Sequence, residues 1–463
     1  MLKEFTEYFL NIKTKSIDYK NFSKFIKSLD KLNLSPIKYE LSLKCMTNEH
    51  YMLDIIKKDN NIQDIIKFIY YTIICYLINK KDLKLIASKE MNTKENTIYI
   101  IYKTDTQEKL NIFLLFLRIF YLVDLSPSNY IGIDLEFNTK VAALIQLCFE
   151  GFKLPDEDIN YSFIFIFDPK QFNKEDLRCL VKNYLTNDKY FKILHGAESL
   201  DVPFLFSSIF NNNNDDIIKF TRMYIDTRYL CEYYNKEQLK NTNKCKIYYA
   251  LLNTGVITKK HFDKLKKNDS KMGPIYEIII NINNMTTELL KYTLYDVLFL
   301  KNFFFKFAYR DNRKQKIYIN VIPELTQLIL LEKKNIINIL SKYKEQIDKT
   351  NNNYTFIKKK FYKLIDIFKI LKEEITLNKI NLKYLLAINY YRGFIFYIIK
   401  LITYNYIIKN YTVYMAKNKS NSNLLNFKDI EDQLIKLGYT NISILINNLI
   451  ISIKQKFQLI FIN

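Results

Sequence analysis

The chain contains no tryptophan, and its 463 residues include only seven glycines and seven prolines. No two glycines lie within five positions of each other, so a glycine-rich loop that cradles phosphates is absent and ATP use is unsupported. No Gly-x-Ser-x-Gly occurs, which argues against a serine hydrolase. The six cysteines, at positions 45, 75, 148, 179, 231 and 245, form no Cys-x-x-Cys and keep no metal-ligand spacing. Reduced thiols in an intracellular, reducing compartment are therefore expected, without a zinc site. Glu4, Glu7 and Tyr8 interrupt the opening residues, which is not the pattern of a signal peptide. The most membrane-like run, 384–408, contains Asn389, Arg392, Lys400 and Asn405, so it reads as a core or interface helix and no membrane association is expected.

Charge is present in excess and is unevenly placed. The formal net charge is +22, and only 7 of the 70 basic residues are arginine. Together with abundant Asn, Ile and Tyr, this matches the codon bias of AT-rich coding, which should spread lysine evenly. Instead, residues 1–95 carry a net +5, residues 96–310 a net +3, and residues 311–463 a net +14 from 25 basic and 11 acidic side chains. Concentration in the last third suggests a surface for a polyanion, nucleic acid foremost.

The pattern of apolar residues divides the chain into three. Residues 1–95 read as mostly helical, with a break at Ser35-Pro36. Residues 311–463 repeat apolar side chains at helical spacing, as in "FYKLIDIFKILKEEI", with a polar loop at 417–423. The middle, 96–310, alternates. Strand-like "TIYIIY" leads to a helix, strands at 129–137 and 141–149, and "YSFIFIF"; a helix at 173–186, the strand "KYFKIL" and further helices follow. This order predicts an α/β fold, a mixed sheet with flanking helices, between mostly helical N- and C-terminal regions.

One strand of the middle third poses a chemical question. In "NYIGIDLEFN", Ile131, Ile133 and Leu135 alternate with Gly132, Asp134 and Glu136, so both carboxylates share one face. A solvated edge is one reading, but "VAALIQLCF" follows at once, and two carboxylates held together repel unless a cation sits between them. A divalent metal such as Mg²⁺ or Mn²⁺ takes oxygen ligands. Further oxygens are available in "KILHGAESLDVPF", where Asp201 lies near a helix start at the end of a strand, a position that also serves the helix dipole. They are available again in "ELLKYTLYDVLFL", where Tyr292 and Asp296 are four apart on one helix face. An aspartate flanked by Val297, Leu298 and Phe299 is costly to bury unpaired.

These motifs, in this order, resemble the DEDD superfamily of 3′–5′ exonucleases on the ribonuclease H-like fold, and within it the tyrosine-type, ribonuclease D-like branch. Asp134 and Glu136 match the first motif, "LHGAESLD" ending in Asp201 the second, and "YTLYD" with Tyr292 and Asp296 the third. The histidine variant of the third motif has Lys291 at its histidine position here, and "YIDTRYL" places Asp226 as a helix cap. The resemblance covers roughly 96–308. Five residues separate His195 from Asp201 where the family commonly has four, which leaves Glu198 as an alternative to Asp201.

The resemblance implies a two-metal-ion exonuclease acting on single-stranded RNA or DNA 3′ ends, with RNA somewhat favoured. Asp134, Glu136, Asp201 and Asp296 would hold two Mg²⁺ or Mn²⁺ ions, Tyr292 would orient the attacking water and help deprotonate it, and His195 would be structural. The alternative is a catalytically inactive nuclease fold serving as a nucleic-acid-binding or scaffolding module, against which the intact acidic set argues.

Lys358, Lys359 and Lys360 are consecutive and cannot all point inward on a helix. They are the expected nucleic-acid-binding residues of a basic platform. Replacing all three with glutamine should weaken strand binding and flatten its salt dependence, which falls by about 0.7 log units per log unit of salt for each neutralised phosphate on single strands. Fluorescence anisotropy across a salt series measures both; unchanged affinity and slope in the folded variant would place the platform elsewhere.

Overall fold

The computed structural model describes residues 70–331, apart from 71–72, 75, 123–127, 154–157, 239–244, 310–314, 316, 325 and 328. Most of the two flanking regions expected to be helical, including Lys358–Lys360, lies outside the described residues. The chain forms two compact units. One comprises Met1–Thr227 with Lys246–Lys306, the other Arg228–Cys245 with Phe307–Asn463.

The first unit is built on a seven-stranded mixed sheet. Its strands are β1 (Leu83–Ile86), β2 (Thr97–Lys103), β3 (Tyr130–Asn138), β4 (Val141–Lys153), β5 (Asn160–Phe167), β6 (Phe191–Leu194) and β7 (Tyr224–Asp226), in the spatial order β1-β2-β5-β4-β3-β6-β7. β1 is antiparallel to β2, and β2 is parallel to β5. β4 runs antiparallel to both β5 and β3, whereas β3, β6 and β7 are mutually parallel. Helices flank the sheet, as the α/β pattern of the middle third predicts.

Strand alternation gives the sheet two chemically different faces. Ile133, Leu147 and Phe165 lie in register on one of them. Helix α2 (Gln107–Leu122), which follows the single turn α1 (Ala87–Glu90), covers this face with Phe113, Phe116 and Phe120 at helical spacing. Ring centroids of Phe113 and Phe116 lie 4.4 and 4.8 Å from that of Phe165. The other face carries Gly132, Asp134 and Glu136, and is covered by helix α9.

Between β5 and α9 come α3 (Lys174–Leu180), α4 (Asp201–Phe204), α5 (Asn214–Arg222), α6 (Thr227–Glu237), α7 (Ile247–Asn253) and α8 (Lys259–Met272); α9 spans Thr287–Leu298 and α10 Leu300–Ala308. α3 ends earlier than the 173–186 helix expected, because a wider turn over Val181–Leu185 continues it. No helix among the described residues is long and apolar enough to cross a membrane.

Two strands escape a reading of periodicity. β1 lies in the stretch read as helical, and β7 in the stretch read as a run of helices. At four and three residues they carry too little alternation to register; pairing with β2 and β6 defines them. The cysteines also differ from expectation. In the second unit, Cys231 on α6 is disulfide-bonded to Cys245 at a Cα–Cα distance of 5.9 Å, while Cys148 and Cys179 are buried thiols outside any disulfide. A separation of 14 residues gives no sequence signal for that pairing; the chain's return beside α6 creates it. Tyr318 packs against Tyr233 and Phe307 in the same unit, and its hydroxyl donates to Glu237 at 3.2 Å.

Gly132 sets how closely α9 approaches β3. A Cβ at this position would sit 3.3 Å from the Val297 carbonyl oxygen and 3.2 Å from the Cys148 Cβ. Backbone cannot yield as a flexible side chain can, so Gly132→Ala should push α9 off the sheet and cost about 1–3 kcal/mol. Urea unfolding midpoints measure this, and an unchanged midpoint would show that the contact does not limit packing.

Candidate metal centre

β3 and α9 deliver the central acids. The alternation of β3 turns Asp134 and Glu136 to the same face, and the register breaks only after Glu136, so both stay in the regular part of the strand. α9 starts at a threonine cap, the Thr286 hydroxyl accepting from the Leu289 amide at 3.1 Å. The Asn268 side-chain amide, from α8, donates to the Glu288 carbonyl at 3.1 Å and ties the first turn of α9 to its neighbour. With its start anchored and Val297 seated over Gly132, α9 brings Asp296 over β3. Asp134, Glu136 and Asp296 each present a carboxylate oxygen, all within 4.8 Å of one another. Asp134 and Asp296 remain partly accessible; Glu136 is buried, and its Oε1 has no hydrogen-bond partner.

The electrostatics follow from this crowding. Burial, then the charges of Asp296, Glu136 and Asp201, push the Asp134 carboxyl well above its ordinary range. Burial and the charges of Asp296 and Asp201 do the same to Glu136. Asp296 is raised to about 8 by burial and by the charges of Asp269 and Asp201. A divalent cation would offset the mutual repulsion among these carboxylates, supplying the positive charge that three convergent oxygens and an unpaired Glu136 oxygen lack. The donor set is entirely oxygen, which suits Mg²⁺ or Mn²⁺.

Asp201 opens α4 and arrives by a different route. Its carboxyl is raised to about 7, chiefly by burial, with the charges of Asp226 and Glu198 adding to it and hydrogen bonds from the Asp201 and Leu135 amides opposing. The charge of Asp201 acts on Asp134, Glu136 and Asp296 alike, which places it beside the cluster; the charge of Glu198 registers on Asp201. The loop before Asp201 is held by Asp226, at the end of β7. Its carboxylate accepts from the Gly196 amide at 2.9 Å, the Ala197 amide at 3.1 Å and the Tyr224 hydroxyl at 2.9 Å. Asp226 thus anchors the second-motif loop, a role beyond the helix capping expected of it. Gly196 takes φ 69°, a left-handed conformation that suits glycine.

His195 sits at the end of β6. Thr227 donates its hydroxyl to the Leu194 carbonyl at 3.0 Å, so the His195 Nδ1, 2.9 Å from the same oxygen, must be the donor in that pair. This agrees with a structural role for the ring.

Tyr292 lies one turn before Asp296. The charge of Asp296, then burial, then the charges of Glu136, Asp134 and Asp269 hold its phenol protonated. Two participants in this field, Asp269 on α8 and Tyr248 on α7, were not found by sequence reasoning. Asp269 acts on Asp296 and Tyr292, and the Tyr248 hydroxyl is itself raised by burial and by Asp296, Asp269 and Tyr292. Asp269 sits in "KKNDSKM", where it reads as one more solvated charge, so nothing local marked it.

No family model matches the chain. It is 29% identical over 439 residues to an uncharacterized protein of Acanthamoeba polyphaga mimivirus, covering 90% of this chain and 85% of that protein. Among solved structures it is similar to the EXO domain of Nibbler from Aedes aegypti, at a TM-score of 0.30 and 17% identity, over 50% of this chain and 95% of that one.

Proposed function

We propose that the chain is a divalent-metal-dependent 3′–5′ exonuclease that hydrolyses phosphodiester bonds at single-stranded nucleic-acid ends, RNA somewhat favoured over DNA. The convergence of Asp134, Glu136 and Asp296, from a strand and a distant helix, to within 4.8 Å carries the reading. The direction of attack and the preference for RNA rest on the resemblance of the motifs to tyrosine-type DEDD exonucleases.

In this reading, Asp134, Glu136 and Asp296 hold Mg²⁺ or Mn²⁺, with Asp201 completing the set for a second ion. Bound metal supplies Lewis-acid polarisation of the phosphoryl oxygens and a water of lowered pKa. The chain's own groups orient and exclude. Tyr292, one helical turn before Asp296, orients the attacking water and helps to deprotonate it. Asp226 fixes the loop that carries Asp201, and α9 sets the position of Tyr292 relative to the acids. Lys358, Lys359 and Lys360 would hold the strand. The domain limits 1–95, 96–310 and 311–463 remain our proposal for where the nuclease ends and the flanking regions begin, as does an intracellular setting.

Purified protein should degrade 3′ ends only with added Mg²⁺ or Mn²⁺, and Asp134→Ala, Glu136→Ala or Asp296→Ala should abolish this. Tyr292→Phe should lower single-turnover rates by about 10²-fold, the low end for a positioned proton-handling group, while leaving calorimetric Mn²⁺ affinity largely intact. Undiminished cleavage by all three alanine variants would overturn the proposal.

The raised carboxyls also set a dependence of stability on pH. Asp201 and Asp296, near 4 when unfolded, are raised to about 7 and about 8 when folded. Groups raised in this way favour the folded state fully below the unfolded value and lose that contribution as pH rises through the folded one. In a chelator, the thermal midpoint should therefore fall between about pH 5 and 8. Mn²⁺ should restore it most at the alkaline end, and Asp296→Asn should flatten the metal-free profile. Scanning calorimetry with and without Mn²⁺ tests this; a flat wild-type profile would mean that the acids are not crowded in solution.

A further inference from the structure

Gln146 lies on β4 directly opposite Asp134 on β3. It has no exposed surface, and neither its Oε1 nor its Nε2 has a hydrogen-bond partner. An orphaned buried polar group is destabilising, and such groups are few in native proteins. Its position separates Gln146 from the orphans elsewhere in the sheet. Ser162 and Tyr102 also hold unpaired hydroxyls, but on β5 and β2, two and three strands away from β3. Gln146 and Glu136 Oε1, by contrast, flank Asp134 on the same face of the sheet.

A side chain of leucine or methionine would fill the space beneath α9 without that cost. The chemistry available to glutamine and not to these is a hydrogen-bond donor within reach of a carboxylate. Directly opposed residues of an antiparallel pair hold their Cβ atoms about 4.5–5.5 Å apart, and a glutamine amide spans the remainder.

We propose that Gln146 is a positioning residue for Asp134: with a divalent cation in the centre, its side-chain amide donates to the Asp134 carboxylate. The bond fixes the orientation in which Asp134 presents its other lone pairs to metal. A donor to an ionised acceptor is a strong bond, and outer partners of metal ligands commonly tune affinity in this way. Without the cation the amide would lack this partner, and it gains it as metal binds. Gln146 therefore lowers the stability of the metal-free protein and raises its affinity for metal.

This inference rests on the metal-centre reading, and one experiment separates the two. Mn²⁺ binding to wild type, Gln146→Leu and Gln146→Met is measured by isothermal titration calorimetry, and thermal midpoints are recorded in chelator. Both variants should keep or raise the metal-free midpoint, since an unpaired amide is replaced by apolar atoms of similar size. Both should bind Mn²⁺ about tenfold more weakly, the low end of losses on removing a ligand's outer partner. Wild-type Mn²⁺ affinity in either folded variant would overturn the inference and leave the metal centre standing. A lowered metal-free midpoint, or loss of the fold in both variants, would also overturn it, because the amide would then serve the fold itself. Wild-type protein that binds no Mn²⁺ would overturn the metal centre, and the inference with it.

Discussion

Three carboxylates brought within 4.8 Å of one another, two from β3 and one from α9, are the constraint around which this unit is organised. At that separation and an effective dielectric of about 20, each ionised pair repels by about 3–4 kcal/mol. A fold whose whole stability is on the order of 10 kcal/mol holds such an arrangement only if other contacts over-determine it. The structure supplies them. Val297 seats α9 over Gly132, with Leu300 at the start of α10 beside it, the Thr286 cap and the Asn268 bond anchor the start of α9, and the Ile133, Leu147 and Phe165 layer beneath α2 braces β3 from behind. The acids are pushed together by a scaffold that gains nothing from them directly, as expected of a chemical site and not of a structural one.

The sheet separates these duties by face. One face is aromatic, with the rings of Phe113, Phe116, Phe163, Phe165 and Phe167 in mutual contact. That face supplies apolar burial. The other accepts polar groups at positions where an apolar residue would be more stable. It carries Asp134 and Glu136, and Gln146 opposite Asp134. β6 and β7 extend the same division of labour. Both are short, yet together they place Asp226 under the Gly196–Ala197 turn and so fix the approach to Asp201. Charge at Asp201 then reaches all three central acids, which makes the site a single coupled electrostatic object.

Much of the centre was legible in the chain. A period of two placed Asp134 and Glu136 on one face without any tertiary information, because side-chain direction in a strand is set by the backbone. The four-residue spacing of Tyr292 and Asp296 placed them on one helix face for the same reason, and the cost of burying Asp296 among Val297, Leu298 and Phe299 marked it as needing a partner. The α/β character of the middle third followed from the alternation of strand and helix patterns.

What the sequence by itself determined are these local directions and the residue chemistry they carry. Tertiary structure alone decided which directions meet. That α9 closes on β3 depends on a missing Cβ at Gly132. That Gln146 faces Asp134 depends on the β3–β4 register, and that Asp269 adds its charge to Tyr292 depends on how α8 lies beside α9. β1, β7 and the Cys231–Cys245 bond belong to the same class. Each is defined by a partner elsewhere in the chain, and a short segment carries no periodicity strong enough to announce a contact whose energy lies wholly in the pairing.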